Sequence, residues 1–373
     1  MDFSTATKYH YDQFPPKNLN YSFFIESLIK ATDALARYDQ MLKNMHNSEI
    51  LLAPLRNQEA VISSRMEGTI STMDEILKFE AESENGNENE EAKKVRTDVF
   101  ETILYQRALT NAQKDIKDGY PLSQHLVKSL HQQLLSFGRG ATKAPGQYKI
   151  EQNYLADKLK QKILFIPISP EKLSEGLENM FKYLEDSKHP VLIKTALMHL
   201  EFEALHPFQD GNGRIGRMLI TLYLWKTGAI SEPHFYISGY LEENKDLYID
   251  IMRRVSESNE WEEWCVFFLN AIENQAIRNL KIAESINKLY EEMKGIFAEV
   301  LASKWSVNAL DYIFTNPIFK NNKFTGKSGI PGPSAARFTR ILQEKGLIRI
   351  IEEASGRKPA IYSFEPLLKL VRV

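Results

Sequence analysis

The chain is 373 residues long and carries 47 Lys and Arg against 49 Asp and Glu, a formal net charge of −2, which removes any bulk electrostatic case for nucleic acid or an anionic membrane. A chain of this length is expected to form two or three domains around separate cores. The single Cys265 excludes an internal disulfide, the polar start MDFSTATKYH lacks the apolar run of a signal peptide, and no apolar stretch is long enough to span a bilayer, so a cytoplasmic protein without membrane contact is expected.

Apolar residues recur at helical spacing over 20–45 and 57–79. The acidic, Asn- and Gly-containing stretch 80–94 has no large apolar groups and predicts a solvated loop. Amphipathic helices follow over 95–115 and 123–137. Two short apolar and aromatic segments flank a polar turn in QYKIEQNYLADKLKQKILFIP, which predicts a β-hairpin over about 147–167. Helical patterns resume at 171–185 and at 190–205, where apolar residues occupy nearly every side and place the helix at the centre of a bundle. RMLITLYLWKTG is a further apolar helix closed by Gly228, and helices over 242–256 and 260–293 come next. From Val307 the pattern is a short helix, the loop FTGKSGIPG, the helix PSAARFTRILQEKGL and an alternating segment around ASGRKP, which together predict a winged-helix module.

Between the two apolar helices lies HPFQDGNGRIGR, residues 206–217. Gly211 and Gly213 allow a sharp bend whose amides approach a ligand closely, and a helix opening at Gly213 and Arg214 offers unpaired N–H groups and the positive end of its dipole to an anion. Arg214 and Arg217 are three apart and share that face, and guanidinium forks suit phosphate oxygens. Asp210 fits a Mg²⁺ ligand beside phosphates. His206 fits a general base, and Phe208 a plug into the core. His199, Glu203 and His206 share a helical face, but no HExxH or Cys pair supports a transition-metal centre, and a Walker motif is absent.

HPFQDGNGRIGR matches every fixed position of the HxFx(D/E)GNGRxxR signature, and on these residues the chain resembles the Fic domain family (Fic/Doc superfamily), most clearly from Ser123 to Ala271. The resemblance implies a mainly α fold, a Fic-type helical bundle with a small hairpin flap, here joined to the C-terminal winged-helix domain. The corresponding division is an N-terminal helical region 1–105 with an inhibitory helix at about 57–68, a catalytic core 106–271, a connecting helix 272–303 and the winged helix 304–373. It implies transfer of AMP from ATP, with Mg²⁺, to a hydroxyl of a protein target lying along the flap. His206 is then the base and Asp210 the metal ligand. Gly211, Asn212 and Gly213 hold the α-phosphate, Arg214 the β-phosphate and Arg217 the γ-phosphate. Tyr240 and Asn244 resemble the adenine-binding pair, although Lys245 stands where Arg is frequent, and the flap departs from the family in carrying Lys149 where Arg is usual.

SSRMEG, residues 63–68, resembles the family's (S/T)xxxE(G/N) inhibitory helix, in the class that carries it N-terminally. Ser63 and Glu67 are one turn apart, so Glu67 is placed to pair with Arg217 in the γ-phosphate's space, with Gly68 as the helix cap. Three alternatives stay open: a hydrolase that removes AMP with Glu67 orienting water, a nucleotide binder without turnover, and a DNA-binding regulator using Arg337, Arg340, Lys345, Arg357 and Lys358 of the winged helix. Self-modification and a homodimer are compatible with the enzyme reading.

Overall fold

The computed structural model describes residues 3, 4, 6–45, 48–82, 96–157, 162–356 and 358–373. Among the described residues the chain forms fifteen α-helices and six short strands, a mainly α protein. These form two compact units: Met1–Asp39, Ile62–Thr69 and Leu104–Arg278 make the first, and Gln40–Val61, Ile70–Ile103 and Asn279–Val373 the second.

The helices in chain order begin with α1 (Tyr21–Asn44), α2 (Ser48–Met66), α3 (Met73–Glu82), α4 (Thr97–Lys117) and α5 (Gln124–Leu134). The predicted helix over 57–79 is two helices, because Gly68 at φ 84° ends α2 and Ser64 O accepts from the N–H of both Glu67 and Thr69. Thr72 and Glu75 then cap α3 reciprocally: Glu75 N–H donates to Thr72 Oγ1 (3.3 Å), and Thr72 N–H donates to Glu75 Oε2 (2.8 Å).

The core of the first unit is α7 (Val191–Leu205), flanked by α6 (Pro170–Asp186) and α8 (Asn212–Lys226). Leu192, Ile193, Leu197, Leu200, Phe202 and Leu205 are all buried, as its all-round apolar sequence requires. Helices α9 (Ser238–Glu243), α10 (Lys245–Ser258) and α11 (Trp261–Leu301) follow, and Trp264 Nε1 donates to Ala196 O of α7 at 2.8 Å. The expected hairpin consists of β2 (Leu155–Asp157) antiparallel to β3 (Lys162–Ile166), its tip at 158–161 lying outside the described residues. A strand the sequence did not announce, β1 (Thr7–Lys8), pairs parallel with the other edge of β3. It is held by the two residues after it: Tyr9 Oη donates to Glu201 Oε1 (2.6 Å), and His10 Nε2 meets Glu201 Oε2 (2.8 Å).

In the second unit α12 (Ser306–Thr315), β4 (Ile318–Lys320), α13 (Asn321–Lys327), α14 (Gly332–Glu344), β5 (Arg349–Glu352), β6 (Ile361–Ser363) and α15 (Glu365–Val371) surround a sheet of order β4-β6-β5. The helix, helix and hairpin expected here are present. Part of the predicted loop FTGKSGIPG is helical, in α13, and β4 adds a third strand whose Phe319 is buried against Tyr312, Phe324 and Tyr362. Helix α3 belongs to this unit, through Lys78 with Glu352 and Arg372 with Asp74. The stretch predicted as a solvated loop is helical at 80–82 and lies outside the described residues from 83 onward, as does Arg357.

Candidate active site

His206 closes α7 in the left-handed region, φ 45° and ψ 61°, and Gly211 opens α8 in the same region, φ 81° and ψ 3°. The segment between them is tied to itself and to its surroundings. Phe208 N–H donates to Asn212 Oδ1 (2.9 Å) and Asn212 Nδ2 donates back to Phe208 O (2.8 Å). Phe208 is fully buried and stacks on His131, ring centroids 3.7 Å apart. Gly146 N–H donates to His131 Nδ1, so Nε2 carries the proton and donates to Asp210 O at 3.0 Å. Burial pushes His131 down to about 4, which keeps it in that neutral form.

Asp210 Oδ1 accepts from Gly211 N–H (2.6 Å) and from Arg214 Nη2 (3.3 Å). Arg214 and Arg217 are buried, 4% and 3% exposed, on the first turns of α8, so the helix's unpaired N–H groups and two guanidinium groups gather at one place. Arg217 is engaged by the end of α2: its Nε donates to Ser63 Oγ (2.8 Å), and its Nη2 to Ser63 O (2.8 Å) and Glu67 Oε1 (2.8 Å). A Cβ on Gly213 would lie 2.3 Å from Glu67 Oε1 and 2.9 Å from Arg217 Nη1, so a carboxylate sits directly over the helix N-terminus. Burial raises the Glu67 carboxyl, but Arg217, with Arg214 and Lys245 behind it, outweighs that and holds it below the usual carboxylate range. Arg65 grips Glu242 through two hydrogen bonds of 2.7 Å, and Lys245 Nζ donates to Met66 O (2.6 Å), which fixes the end of α2 beside α9 and α10.

Burial above all, and then the ammonium of Lys149, lowers His206 to about 4, against the opposing pull of the Glu203 carbonyl, Glu67 and Asp210. The imidazole is therefore neutral at pH 7. Its Nδ1 lies 3.3 Å from Glu203 O, and a carbonyl only accepts, so Nδ1 holds the proton and Nε2 is the basic atom. His199 Nε2 is engaged with Tyr248 Oη at 2.8 Å, and among the described residues no group of three or more His, Cys, Asp and Glu side chains is placed to hold a metal ion. Asp210, 43% exposed on its side chain and with both side-chain contacts on Oδ1, is a second carboxylate at the α8 N-terminus beside Glu67. That donor set fits Mg²⁺, which is commonly held by one or two carboxylates, substrate phosphates and water.

Ser63, Glu67, His206, Asp210, Gly211, Asn212, Gly213, Arg214 and Arg217 thus lie together. The Asn212 side chain is spent on closing the loop, through its two bonds with Phe208. Tyr240 and Asn244 flank Glu242, which with Lys245 holds the end of α2, and Asn244 Nδ2 donates to Tyr240 O at 2.9 Å. Sequence reasoning missed Asn153 and His131, since polar side chains in a flap and on an amphipathic helix carry no local signal of their partners.

The Fic/DOC family N-terminal model matches residues 25–114, and the Fic/DOC family model matches residues 121–224. The chain belongs to the Fic/DOC family. Among curated Fic relatives, a probable protein adenylyltransferase of Aquifex aeolicus is 23% identical over 211 residues, 55% of this chain and 60% of its own length. A protein adenylyltransferase of Caenorhabditis briggsae is 27% identical over 115 residues, 30% of this chain and 21% of its own. The chain therefore spans less than two thirds of either relative. The fold is similar to that of a Fic family protein of Desulfovibrio desulfuricans (TM-score 0.57, 16% identity, covering 94% of this chain and 98% of that one). It is also similar to a Fic domain containing signaling protein of Bacteroides thetaiotaomicron (TM-score 0.53, 20% identity, 69% and 97%). No helix among the described residues is long and apolar enough to cross a membrane.

Proposed function

We propose that this Fic protein is a protein adenylyltransferase that moves AMP from ATP to a side-chain hydroxyl of a protein target and is restrained by its own Glu67. The observation that carries the reading is a neutral His206, Nδ1 donating to Glu203 O, at the edge of a helix N-terminus flanked by Arg214 and Arg217. The α8 amides and the guanidinium groups hold the phosphates, and Asp210 would hold Mg²⁺, which when bound would supply neutralisation of charge on the phosphate oxygens. His206 Nε2 takes the proton of the target hydroxyl, whose oxygen attacks the α-phosphorus, and pyrophosphate leaves. The target lies along the flap, where main-chain pairing accepts varied sequences. Tyr240 and Asn244 are the proposed adenine contacts, which requires Asn244 to release the Tyr240 carbonyl.

Restraint by Glu67 is supported by the same geometry. A carboxylate already paired with Arg217 over the cradle competes with a γ-phosphate for charge and space. Removal of AMP by hydrolysis is the second reading, since the ionised Glu67 acts on the His206 ring and could orient a water between them. For the DNA-binding alternative the charges are unfavourable: Arg340 faces Glu344, and Lys358 faces Glu352 and Glu82. Mass spectrometry of the Glu67→Gly variant incubated with Mg²⁺, ATP and a cell extract tests the proposal. One AMP on the protein itself or on an extract protein is expected, and no AMP on any protein contradicts it.

A further inference from the structure

A residue with a side chain stays in the left-handed region only where its surroundings over-determine it, and His206 does so at φ 45°. One short turn at the base of the flap supplies the constraint. Lys149 Nζ donates to Leu205 O (3.0 Å), Asn153 Nδ2 to His206 O (3.0 Å), Lys149 N–H to Pro207 O (2.8 Å) and Asn153 Nδ2 to Phe208 O (2.9 Å). Every carbonyl from the last residue of α7 through Phe208 is thereby held from the same side. Lys149 Nζ also donates to Asn153 Oδ1 (2.9 Å), which fixes the end of the amide that faces the loop.

Lys149 is 3% exposed and forms no ion pair among the described residues, a costly placement for an ammonium group unless its charge or its donors are used. Burial pushes the ammonium down to about 7, and its donors are used on Leu205 O and Asn153 Oδ1. Leu205 O is at the negative end of the α7 dipole, where a cation is favoured, and the charge also bears on the His206 ring. We infer that Lys149 and Asn153 are positioning residues that lock His206 in its left-handed conformation, with Lys149 also placing a cation where it opposes protonation of the ring. The inference rests on the proposed role of His206. The groups that set the charge at this ring are Lys149 from the flap base, Glu67 from α2, Asp210 from the loop and the Glu203 carbonyl from α7.

The experiment places Asn153→Ala, Lys149→Met and Lys149→Arg in the Glu67→Gly background. It measures kcat and KM for ATP against pH, with sites counted by ATP-binding stoichiometry, and follows the His206 ring by ¹⁵N-histidine NMR titration. Asn153→Ala is expected to lower kcat on the order of tenfold to a hundredfold, with KM for ATP changed less than about twofold. Lys149→Met raises the pH at which His206 takes its proton, and the acid limb of kcat moves up with it. Lys149→Arg restores both. An unchanged kcat in Asn153→Ala, a loss confined to KM, or a His206 titration that Lys149→Met leaves in place overturns the inference. If Lys149→Met does not fold, Asn153→Ala and Lys149→Arg still decide it. A Glu67→Gly reference that transfers no AMP defeats the proposed function, while the ring titration continues to judge the positioning role.

Discussion

Replacing Glu67 by Gly removes one carboxylate from Arg217 and clears the space over Gly213. A hydrogen bond between charged partners contributes about 1.5–3 kcal/mol, and the lower end applies here because 35% of the Glu67 side chain is exposed and screened by solvent. Since 1.4 kcal/mol corresponds to tenfold, ATP that must displace the carboxylate should engage Arg217 at least about tenfold more readily in Glu67→Gly. The assay is AMP incorporation from radiolabelled ATP under subsaturating nucleotide, with calorimetry for ATP affinity. Arg217 keeps Ser63 Oγ and Ser63 O as partners, so the stability loss should stay near 1–2 kcal/mol, roughly a few degrees in Tm. An incorporation rate and an ATP affinity both within twofold of the parent would refute the account of Glu67 as a competitor for the cradle.

His206→Ala in the Glu67→Gly background should reduce AMP transfer by about a hundredfold or more while ATP still binds, checked by the same label and by calorimetry. A loss of ATP binding equal to the loss of rate would remove His206 from the base role. Gly68→Ala places a side chain at φ 84° with open space around it, so the strain is in the backbone alone and Tm should fall by an amount equivalent to about 1 kcal/mol. His131, His199 and His206 titrate at about 4, 3 and 4 when folded, below the unfolded value, so the folded state refuses protons the unfolded state accepts. Glu203, pushed up to about 7 by burial, takes its proton more readily in the folded state and offsets part of this. Three imidazoles against one carboxyl should leave stability falling as pH drops from about 6.5 toward 4, and an unchanged Tm over that range in a Glu203→Gln variant would show these imidazoles are not buried as described. An AMP-modified target that loses its AMP to the parent protein, and not to Glu67→Gly, would favour the hydrolytic reading.

The loop 206–217 was legible because its pattern is local: two glycines, two arginines three apart and a histidine at the end of an apolar helix all fall within it. The partnership of Arg217 with Ser63 and Glu67 was legible only through the family pattern, since more than a hundred residues separate them. The end of α2 at Gly68 was legible, but the restart as α3 at the Thr72 and Glu75 capping pair was masked by helical periodicity on both sides. Two features were not legible. Strand β1 depends on Tyr9 and His10 meeting the buried Glu201, a contact no local pattern announces. Lys149 appeared only as a departure from the family's Arg, and the bonds it shares with Asn153 reach a segment distant in the chain.

Transfer by His206 requires a nucleotide's phosphates to rest on the α8 N-terminus. The direct measurement is a crystal structure of Glu67→Gly with Mg²⁺ and a non-hydrolysable ATP analogue. The phosphates should lie on the α8 N-terminus with the γ-phosphate on Arg217 and the metal on Asp210, and His206 Nε2 should stand within reach of a hydroxyl aligned with the α-phosphorus. Phosphates bound away from that helix, or a His206 ring turned so that Nε2 is buried against protein, would contradict it.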